Sequence, residues 1–233
     1  MKTIGLLGGM SWESSVGYYR AINEGVKDFL GGLHSAKTAM VSVDFDPIEK
    51  LQHEGDWEGT AQILSEAAKK VELAGADFLL ICTNTMHKVA PQIEAAINIP
   101  LLHIADATAE VLVKKGVKTV GLLGTAFTMK QDFYKGRLKE NYGLSVLVPN
   151  EADREIVHSV IYKELCLGEV NSSSKTEYLR IIESLVSQGA EAVMLGCTEI
   201  GMLVNQTDTE ITLLDQQLFM LKKQLNMQYN KWL

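Results

Sequence analysis

At residues 74–83 the sequence reads AGADFLLICT, and at residues 188–197 it reads QGAEAVMLGC. In both stretches a glycine precedes a short apolar run, and the run ends in small, polar or thiol side chains. Such a glycine is typical of a left-handed helix end, and the apolar run is typical of a buried parallel strand. The stretches align at one constant offset, which places Thr83 where the second copy has Cys197. The sequence therefore predicts two related halves.

The chain opening supports the same repeat. Residues 2–8 read KTIGLLG, and residues 118–124 read KTVGLLG. In both halves, short apolar runs alternate with helical patterns, and the helices predicted over 57–73 and 175–187 lead into the repeated strands. The predicted strands cover residues 3–7, 39–43, 78–82, 101–104, 119–123, 144–148, 192–195 and 211–214. This alternation predicts an α/β fold of two pseudo-symmetric lobes, each a mostly parallel sheet flanked by helices.

The lobes are expected at residues 1–98 and 99–207. We expect the C-terminal segment, 208–233, to return to the first lobe. Ligands of open parallel sheets bind beyond the carboxyl ends of the strands. The active site is therefore expected in the cleft between the two lobes.

Composition narrows the possible partners. The 233 residues are 46% hydrophobic and 22% charged, which is ordinary for a soluble globular protein. A net charge of −7 argues against nucleic acid or an anionic membrane as a partner. Three cysteines without metal-ligand spacing fit a reducing cytosol, and no apolar stretch approaches the roughly 20 residues of a membrane span. We therefore expect a cytoplasmic protein that acts on a small molecule.

Four predicted strand ends carry residues that can bind a small ligand. They are Gly8-Gly9-Met10-Ser11, Thr83-Asn84-Thr85, Gly124-Thr125 with Thr128, and Cys197-Thr198-Glu199. Glycine allows close backbone approach, and the hydroxyl and amide groups can bind the carboxylate and amine of a small zwitterion. Each segment alone also fits ordinary turn and helix-cap residues. A dinucleotide site is disfavoured, because the opening glycines lack the required spacing.

Three of the motifs carry a resemblance to a known family. The motifs are GLLGGMSWES at 5–14, TNTMH at 83–87 and GCTEI at 196–200, and together they resemble the aspartate/glutamate racemase family. The resemblance spans nearly the whole chain. It implies a cofactor-independent homodimeric enzyme of two α/β lobes with the substrate between them. It also implies two cysteines, one in each lobe, on opposite faces of the substrate α-carbon.

This chain departs from the family at the first of those cysteines. The usual first-lobe motif reads Cys-Asn-Thr, whereas this chain reads Thr83-Asn84-Thr85. Racemisation needs a base and an acid on opposite faces of the α-carbon, and a thiol serves both roles near neutral pH. The resemblance assigns Cys197 as the base for the L enantiomer, with Thr83 at the opposing position. Cys82 is a poor substitute because adjacent strand residues point to opposite faces, so we expect slow racemisation.

The remaining site residues are candidates for substrate binding. They are Met10, Ser11, Gln52, Asn84, Thr85, Thr125, Thr128, Thr198 and Glu199. Aspartate-selective relatives carry basic residues near the positions of Gln52 and Cys166, and neither is basic here. Glutamate, or a broader set of amino acids, is therefore as plausible as aspartate. We expect no cofactor, and no metal because the histidines lack ligand spacing.

Two other functions remain open. The first is a single-cysteine decarboxylase or isomerase of the same superfamily, similar to the arylmalonate decarboxylases, which release of carbon dioxide would reveal. The second is an amino-acid-binding protein with impaired catalysis, which would bind tightly without exchanging the α-proton.

Overall fold

The computed structural model describes residues 1–215, which form two compact units. The first covers Met1–Ile104, and the second begins at Ala105. The boundary lies six residues beyond the predicted one. Residues 208–215 lie in the second unit rather than the first, because the strand Leu213–Asp215 pairs with Ala192–Gly196. The rest of the predicted returning segment, 216–233, lies outside the described residues.

The first unit is a three-stranded parallel sheet with helices between its strands, in the order β2-β1-β3. Its elements are β1 (Ile4–Gly8), α1 (Trp12–Leu30), β2 (Thr38–Ser42), α2 (Phe45–Glu54), α3 (Trp57–Leu73), β3 (Phe78–Ile81), a 3₁₀ helix (Thr85–Val89) and α4 (Ala90–Ala96). Every residue of β1 and β3 is buried, as expected for a parallel strand covered on both faces.

The second unit is a four-stranded parallel sheet in the order β5-β4-β6-β7. Its helices and strands are α5 (Ile104–Lys114), β4 (Thr119–Gly124), α6 (Ala126–Lys130), α7 (Asp132–Tyr142), β5 (Ser145–Leu147), α8 (Glu151–Lys163), α9 (Ser172–Ser187), β6 (Ala192–Gly196), α10 (Ile200–Leu203) and β7 (Leu213–Asp215). Two short 3₁₀ helices cover Leu165–Leu167 and Gln206–Asp208. The predicted α/β fold of two parallel sheets flanked by helices is confirmed.

The strand register confirms the internal repeat. Leu7 of β1 pairs with Ile81 of β3, and Leu123 of β4 pairs with Leu195 of β6. Thr83 and Cys197 each follow the second residue of such a pair by two positions. They therefore occupy equivalent places at the carboxyl ends of their own sheets.

The helices that lead into the repeated strands end as predicted. α3 begins after Asp56, whose side chain accepts the backbone N–H of Gly59 at 2.8 Å. Gly75 follows this helix with a φ of 88°, and Gly189 follows α9 with a φ of 106°. Both angles lie in the left-handed region, where glycine carries little steric cost.

One predicted strand is wrong. Residues 101–104 do not form a full strand, since only Leu101 makes an isolated bridge, to Leu79, and α5 begins at Ile104. The apolar side chains that suggested a fourth strand instead continue into the buried face of that helix. A short apolar run cannot by itself distinguish the two outcomes.

Candidate active site

The carboxyl end of β1 is a tight turn into α1. Gly9 has a φ of 99°, and its N–H donates to the hydroxyl of Ser15 at 2.8 Å. The Ser15 hydroxyl donates to the carbonyl of Ser11 at 2.9 Å, and the Ser11 side chain caps α1 by accepting the Ser14 N–H at 3.3 Å. Met10 is buried in the core of the first unit. Substrate-binding roles for Met10 and Ser11 stay predictions.

At the end of β3, the two adjacent candidates have different environments. Cys82 is fully buried, and burial raises the pKa of its thiol well above the usual range. Its carbonyl accepts the Ser14 hydroxyl at 2.8 Å. Thr83, the next residue, is partly exposed. The expected alternation is confirmed, and Cys82 is a core thiol unsuited to proton transfer.

A buried histidine fixes the backbone at Thr83. His87 Nδ1 lies 2.8 Å from the Thr83 carbonyl, and Nε2 accepts the N–H of Ile104 at 3.3 Å. A carbonyl can only accept and a backbone N–H can only donate, so the geometry fits a neutral ring with its proton on Nδ1. The ring also meets His103 edge to face, with centroids 4.5 Å apart. His87 therefore orients the strand end.

Two buried amides in the first unit have no hydrogen-bond partner in the part of the chain that the structure describes. Gln52 on α2 is 1% exposed and Asn84 is 2% exposed. Within residues 1–215, neither the oxygen nor the nitrogen of either side-chain amide has a partner. An unsatisfied buried polar group costs about 1–3 kcal/mol, so such groups call for an explanation. Both amides have the chemistry to bind a small polar ligand. Thr85, beside Asn84, is also buried.

In the second unit, two threonine side chains just beyond the end of β4 form hydrogen bonds with each other's segment. Thr125 caps α6, and its hydroxyl oxygen accepts the N–H of Thr128 at 3.3 Å. The two hydroxyl oxygens lie 3.2 Å apart, and both side chains are buried. These contacts place the two predicted residues together, and their binding role stays a prediction.

The end of β6 carries a connected group of proton-bearing side chains. The Cys197 thiol donates to Glu199 Oε2 at 2.9 Å, and the Thr198 hydroxyl donates to the same oxygen at 2.8 Å. All three side chains are less than 10% exposed. The spacing of Cys197 and Glu199, immediately beyond a strand, brings the thiol and the carboxylate together. From the sequence we assigned Glu199 only to substrate binding and missed its contact with the thiol.

The surroundings of Cys197 favour the protonated thiol. Its pKa is raised well above the usual range, first by burial and then by the negative charge of Glu199, with a smaller contribution from Cys166. Cys166 lies half-buried in the short 3₁₀ helix and packs against the core cluster that contains Cys197. Burial and the charge of Glu199 therefore stabilise the Cys197 thiol over the thiolate.

Other kinds of site find no support within the described part of the chain. No group of three or more His, Cys, Asp or Glu side chains in residues 1–215 could hold a metal ion. In the same range, no helix combines the length and the apolar character needed to cross a membrane.

These motifs and geometries agree with a family model for Asp/Glu/Hydantoin racemase, which matches residues 7–220. The chain belongs to the Asp/Glu/hydantoin racemase family. It is an enzyme of the isomerase class, of the racemase type. The resemblance found in the sequence motifs is thereby confirmed.

Several members of this racemase family are similar to the chain along most of its length. A crystal structure of a protein assigned as an Asp/Glu racemase from Yersinia pestis is 52% identical, covers 95% of this chain and 96% of its own, and has a TM-score of 0.87. An aspartate racemase homologue from Pyrococcus horikoshii OT3 is 35% identical, with coverages of 97% and 99% and a TM-score of 0.83. The broad specificity amino-acid racemase RacX of Bacillus subtilis (strain 168) is 23% identical over 167 residues, which are 69% of this chain and 68% of RacX.

Proposed function

We propose that this protein is a cofactor-independent racemase of aspartate- or glutamate-type amino acids, working by removal and return of the α-proton. Cys197 exchanges the proton of the L enantiomer, and Thr83 serves the other face of the α-carbon. The observation that carries this proposal is the buried Cys197 thiol hydrogen-bonded to the buried Glu199 carboxylate. Support also comes from the family and from RacX, whose name gives amino acids as its substrates.

The proposed cycle begins when the ammonium group of the substrate pairs with Glu199 and neutralises the charge that raises the pKa of Cys197. The thiol proton then passes by way of Glu199 Oε2 to water, which leaves a thiolate beside the paired Glu199 and ammonium groups. Substrate binding thus makes the thiolate available where it is needed, as the base that takes the α-proton.

The negative charge that develops on the substrate needs fixed hydrogen-bond donors. With no cofactor to accept the electrons, the charge spreads from the α-carbon into the α-carboxylate. The Asn84 amide is buried, has no protein partner within the described residues and can donate two hydrogen bonds. Donors already held in place stabilise such charge without rearranging. We assign Asn84 to the α-carboxylate, and Thr85 as a neighbouring donor.

Because of Thr83, the slow step is the return of a proton to the α-carbon. Its hydroxyl is far less acidic than a thiol, so we infer that it positions a water molecule which delivers the proton. The two enantiomers have equal free energy in water, which requires equal kcat/KM from either side. The asymmetry therefore shows as α-proton exchange that outruns inversion of the L enantiomer.

The experiment follows both processes in deuterated water. Proton NMR reports exchange, and chiral chromatography reports inversion, for the L and D forms of glutamate and aspartate. We expect Cys197→Ala to lower exchange by about 10³-fold, since a general acid–base group contributes about 10²–10⁴-fold. The matched control, Cys166→Ala, removes the other second-unit thiol and should leave exchange nearly unchanged. Absence of exchange with every amino acid, or full exchange by Cys197→Ala, would refute the proposal.

A single-cysteine decarboxylase is the second candidate. The observation in its favour is that the two equivalent positions, 83 and 197, hold only one thiol, because Thr83 stands where the second unit has Cys197. Such an enzyme would use Cys197 to protonate a carbanion left by loss of carbon dioxide. Carbon dioxide release from an arylmalonate, together with no exchange of amino-acid α-protons, would select it.

A further inference from the structure

A lysine lies directly after the proposed substrate-binding segment of the first unit. Lys88 belongs to the 3₁₀ helix Thr85–Val89, which begins immediately after Asn84. Its Nζ lies 3.8 Å from the centroid of the Trp57 ring, at the start of α3. An aromatic face attracts an ammonium group but leaves its charge unneutralised. The contact therefore fixes the position of a cation.

Lys88 has no anionic partner in the described part of the chain. Within residues 1–215 it forms no ion pair, whereas Lys50 pairs with Asp46 at 2.7 Å and Lys69 pairs with Glu66 at 2.7 Å. Partial burial lowers the pKa of Lys88, and no nearby carboxylate offsets that effect. A partly desolvated ammonium without a counter-charge favours an anionic ligand.

Lys88 connects the segment that begins at Asn84 with the first residue of α3. A 3₁₀ helix has three residues per turn, so the side chains of Thr85 and Lys88 lie on the same face. The ring that Lys88 contacts begins α3, which follows α2 and its buried Gln52. Lys88 thus extends from the segment beginning at Asn84 to the start of α3.

The charge of an acidic amino acid needs a partner of this kind. In any amino acid the positive charge of the ammonium group balances the negative charge of the α-carboxylate. Glutamate and aspartate carry one further negative charge, on the side chain. The candidates for substrate binding in the first unit are Met10, Ser11, Gln52, Asn84 and Thr85, and all of them are neutral. Lys88 is one turn of the 3₁₀ helix beyond the residues assigned to the α-carboxylate.

We propose that Lys88 binds the side-chain carboxylate of an acidic amino-acid substrate, with the amide of Gln52 as a second donor. This inference rests on the proposed racemase function, whose substrate class it specifies. It makes Lys88 a specificity residue that discriminates glutamate and aspartate from their uncharged amides.

The test compares Lys88→Met with the wild type on L-glutamate and L-glutamine. We expect kcat/KM for glutamate exchange to fall about 10–100-fold, mainly through KM, because hydrogen bonds to charged groups contribute about 1.5–3 kcal/mol and each 1.4 kcal/mol is tenfold. Preference should shift from glutamate towards glutamine. Lys88→Arg keeps the charge and should retain more of the glutamate activity than Lys88→Met. Lys50→Met, which removes an exposed and already paired lysine, is the matched control.

Calorimetric binding of glutamate separates this inference from the proposed function. If the wild type binds glutamate without exchanging its α-proton, the racemase mechanism fails, while weaker binding by Lys88→Met still supports the assignment of Lys88. Equal losses for glutamate and glutamine, or unchanged glutamate binding, would overturn it. Circular dichroism monitors folding, and Lys88→Gln offers a second uncharged variant should Lys88→Met be unfolded.

Discussion

The two halves of this molecule share a strand register but end their central strands differently. In the first unit, Thr83 is followed by Asn84, whose buried amide has no partner within the described residues. In the second, the equivalent strand end carries Cys197 and Glu199, joined by a hydrogen bond. The repeated fold thus supplies the same position twice, and the side chains placed there differ in chemistry.

This difference indicates a division of labour. An unsatisfied buried amide destabilises the folded protein, and a ligand that forms hydrogen bonds with the amide removes that destabilisation. A thiol beside a buried carboxylate is already partnered, and its useful property is that a proton can move between the two atoms. We infer that the first unit mainly binds the substrate, and that the second unit mainly transfers the proton.

Among variants that test this division of labour, we expect Glu199→Gln to change the rate of α-proton exchange most. Without the carboxylate, the substrate ammonium loses its partner and the thiol loses its proton acceptor, so we expect α-proton exchange to fall about 100-fold or more. Exchange of L-glutamate in deuterated water measures it. Thr198→Val removes only the neighbouring hydroxyl and is the matched control. Unchanged exchange in Glu199→Gln would contradict the proposed role of the carboxylate.

The same variant should make the thiol more reactive. The Glu199 charge raises the pKa of Cys197, so its removal lowers that pKa and increases the thiolate fraction at any pH below it. Alkylation of Cys197 by iodoacetamide, followed by peptide mass spectrometry, should therefore be faster in Glu199→Gln, and its pH profile should move to lower pH. A slower reaction, or a profile moved to higher pH, would contradict the electrostatic role assigned to Glu199.

A smaller change in rate is expected when the first unit is given the same side chain as the second at the proton-transfer position. Thr83→Cys restores a thiol to the first unit, and we expect inversion of L-glutamate to rise about 10-fold. This is less than the full contribution of a general acid–base group, about 10²–10⁴-fold, because the water held by Thr83 already returns protons in the wild type. The ratio of exchange to inversion should fall towards one. Thr83→Ser keeps a hydroxyl and should resemble the wild type. No change in that ratio for Thr83→Cys would mean that proton return does not depend on this side chain.

The sequence predicted the repeat well because strand pairing in a buried parallel sheet follows the apolar pattern. The α3 helix covers the predicted residues, 57–73, and the glycine expected to end it, Gly75, has a left-handed conformation. The prediction over residues 101–104 was wrong because so short an apolar run fits a strand or the start of a helix equally well. The boundary between the units lies six residues beyond the expected position, and no composition change marks it in the sequence.

The candidate site was predictable by residue type but not by contact. The strand-end pattern identified Cys197 and Asn84, whereas their environments depend on packing that no local pattern shows. Three observations required the structure. They are the hydrogen bond from Cys197 to Glu199, the lack of a partner for Asn84 within residues 1–215, and the position of Lys88 over the Trp57 ring. Each depends on which side chains are buried together, rather than on their spacing alone.

The smallest expected effect is on the free energy of unfolding. It is tested by replacing one asparagine in each half. Asn150 caps α8, accepting the Asp153 N–H at 3.0 Å and donating to its carboxylate at 2.9 Å. Asn150→Ala should lower the free energy of unfolding by about 1 kcal/mol, the usual value of a helix cap. Asn84→Ala removes a buried amide that has no hydrogen-bond partner among residues 1–215, so it should leave that free energy unchanged or raise it, while reducing substrate exchange.

Urea unfolding of both variants measures this difference, with exchange of L-glutamate recorded on the same samples. Asn150→Ala is the matched control, because it makes the same chemical change at an asparagine whose hydrogen bonds are made within the protein. A loss of stability in Asn84→Ala equal to that in Asn150→Ala would show that Asn84 has a partner in the free protein. The two halves would then not differ in the way that their hydrogen bonds indicate.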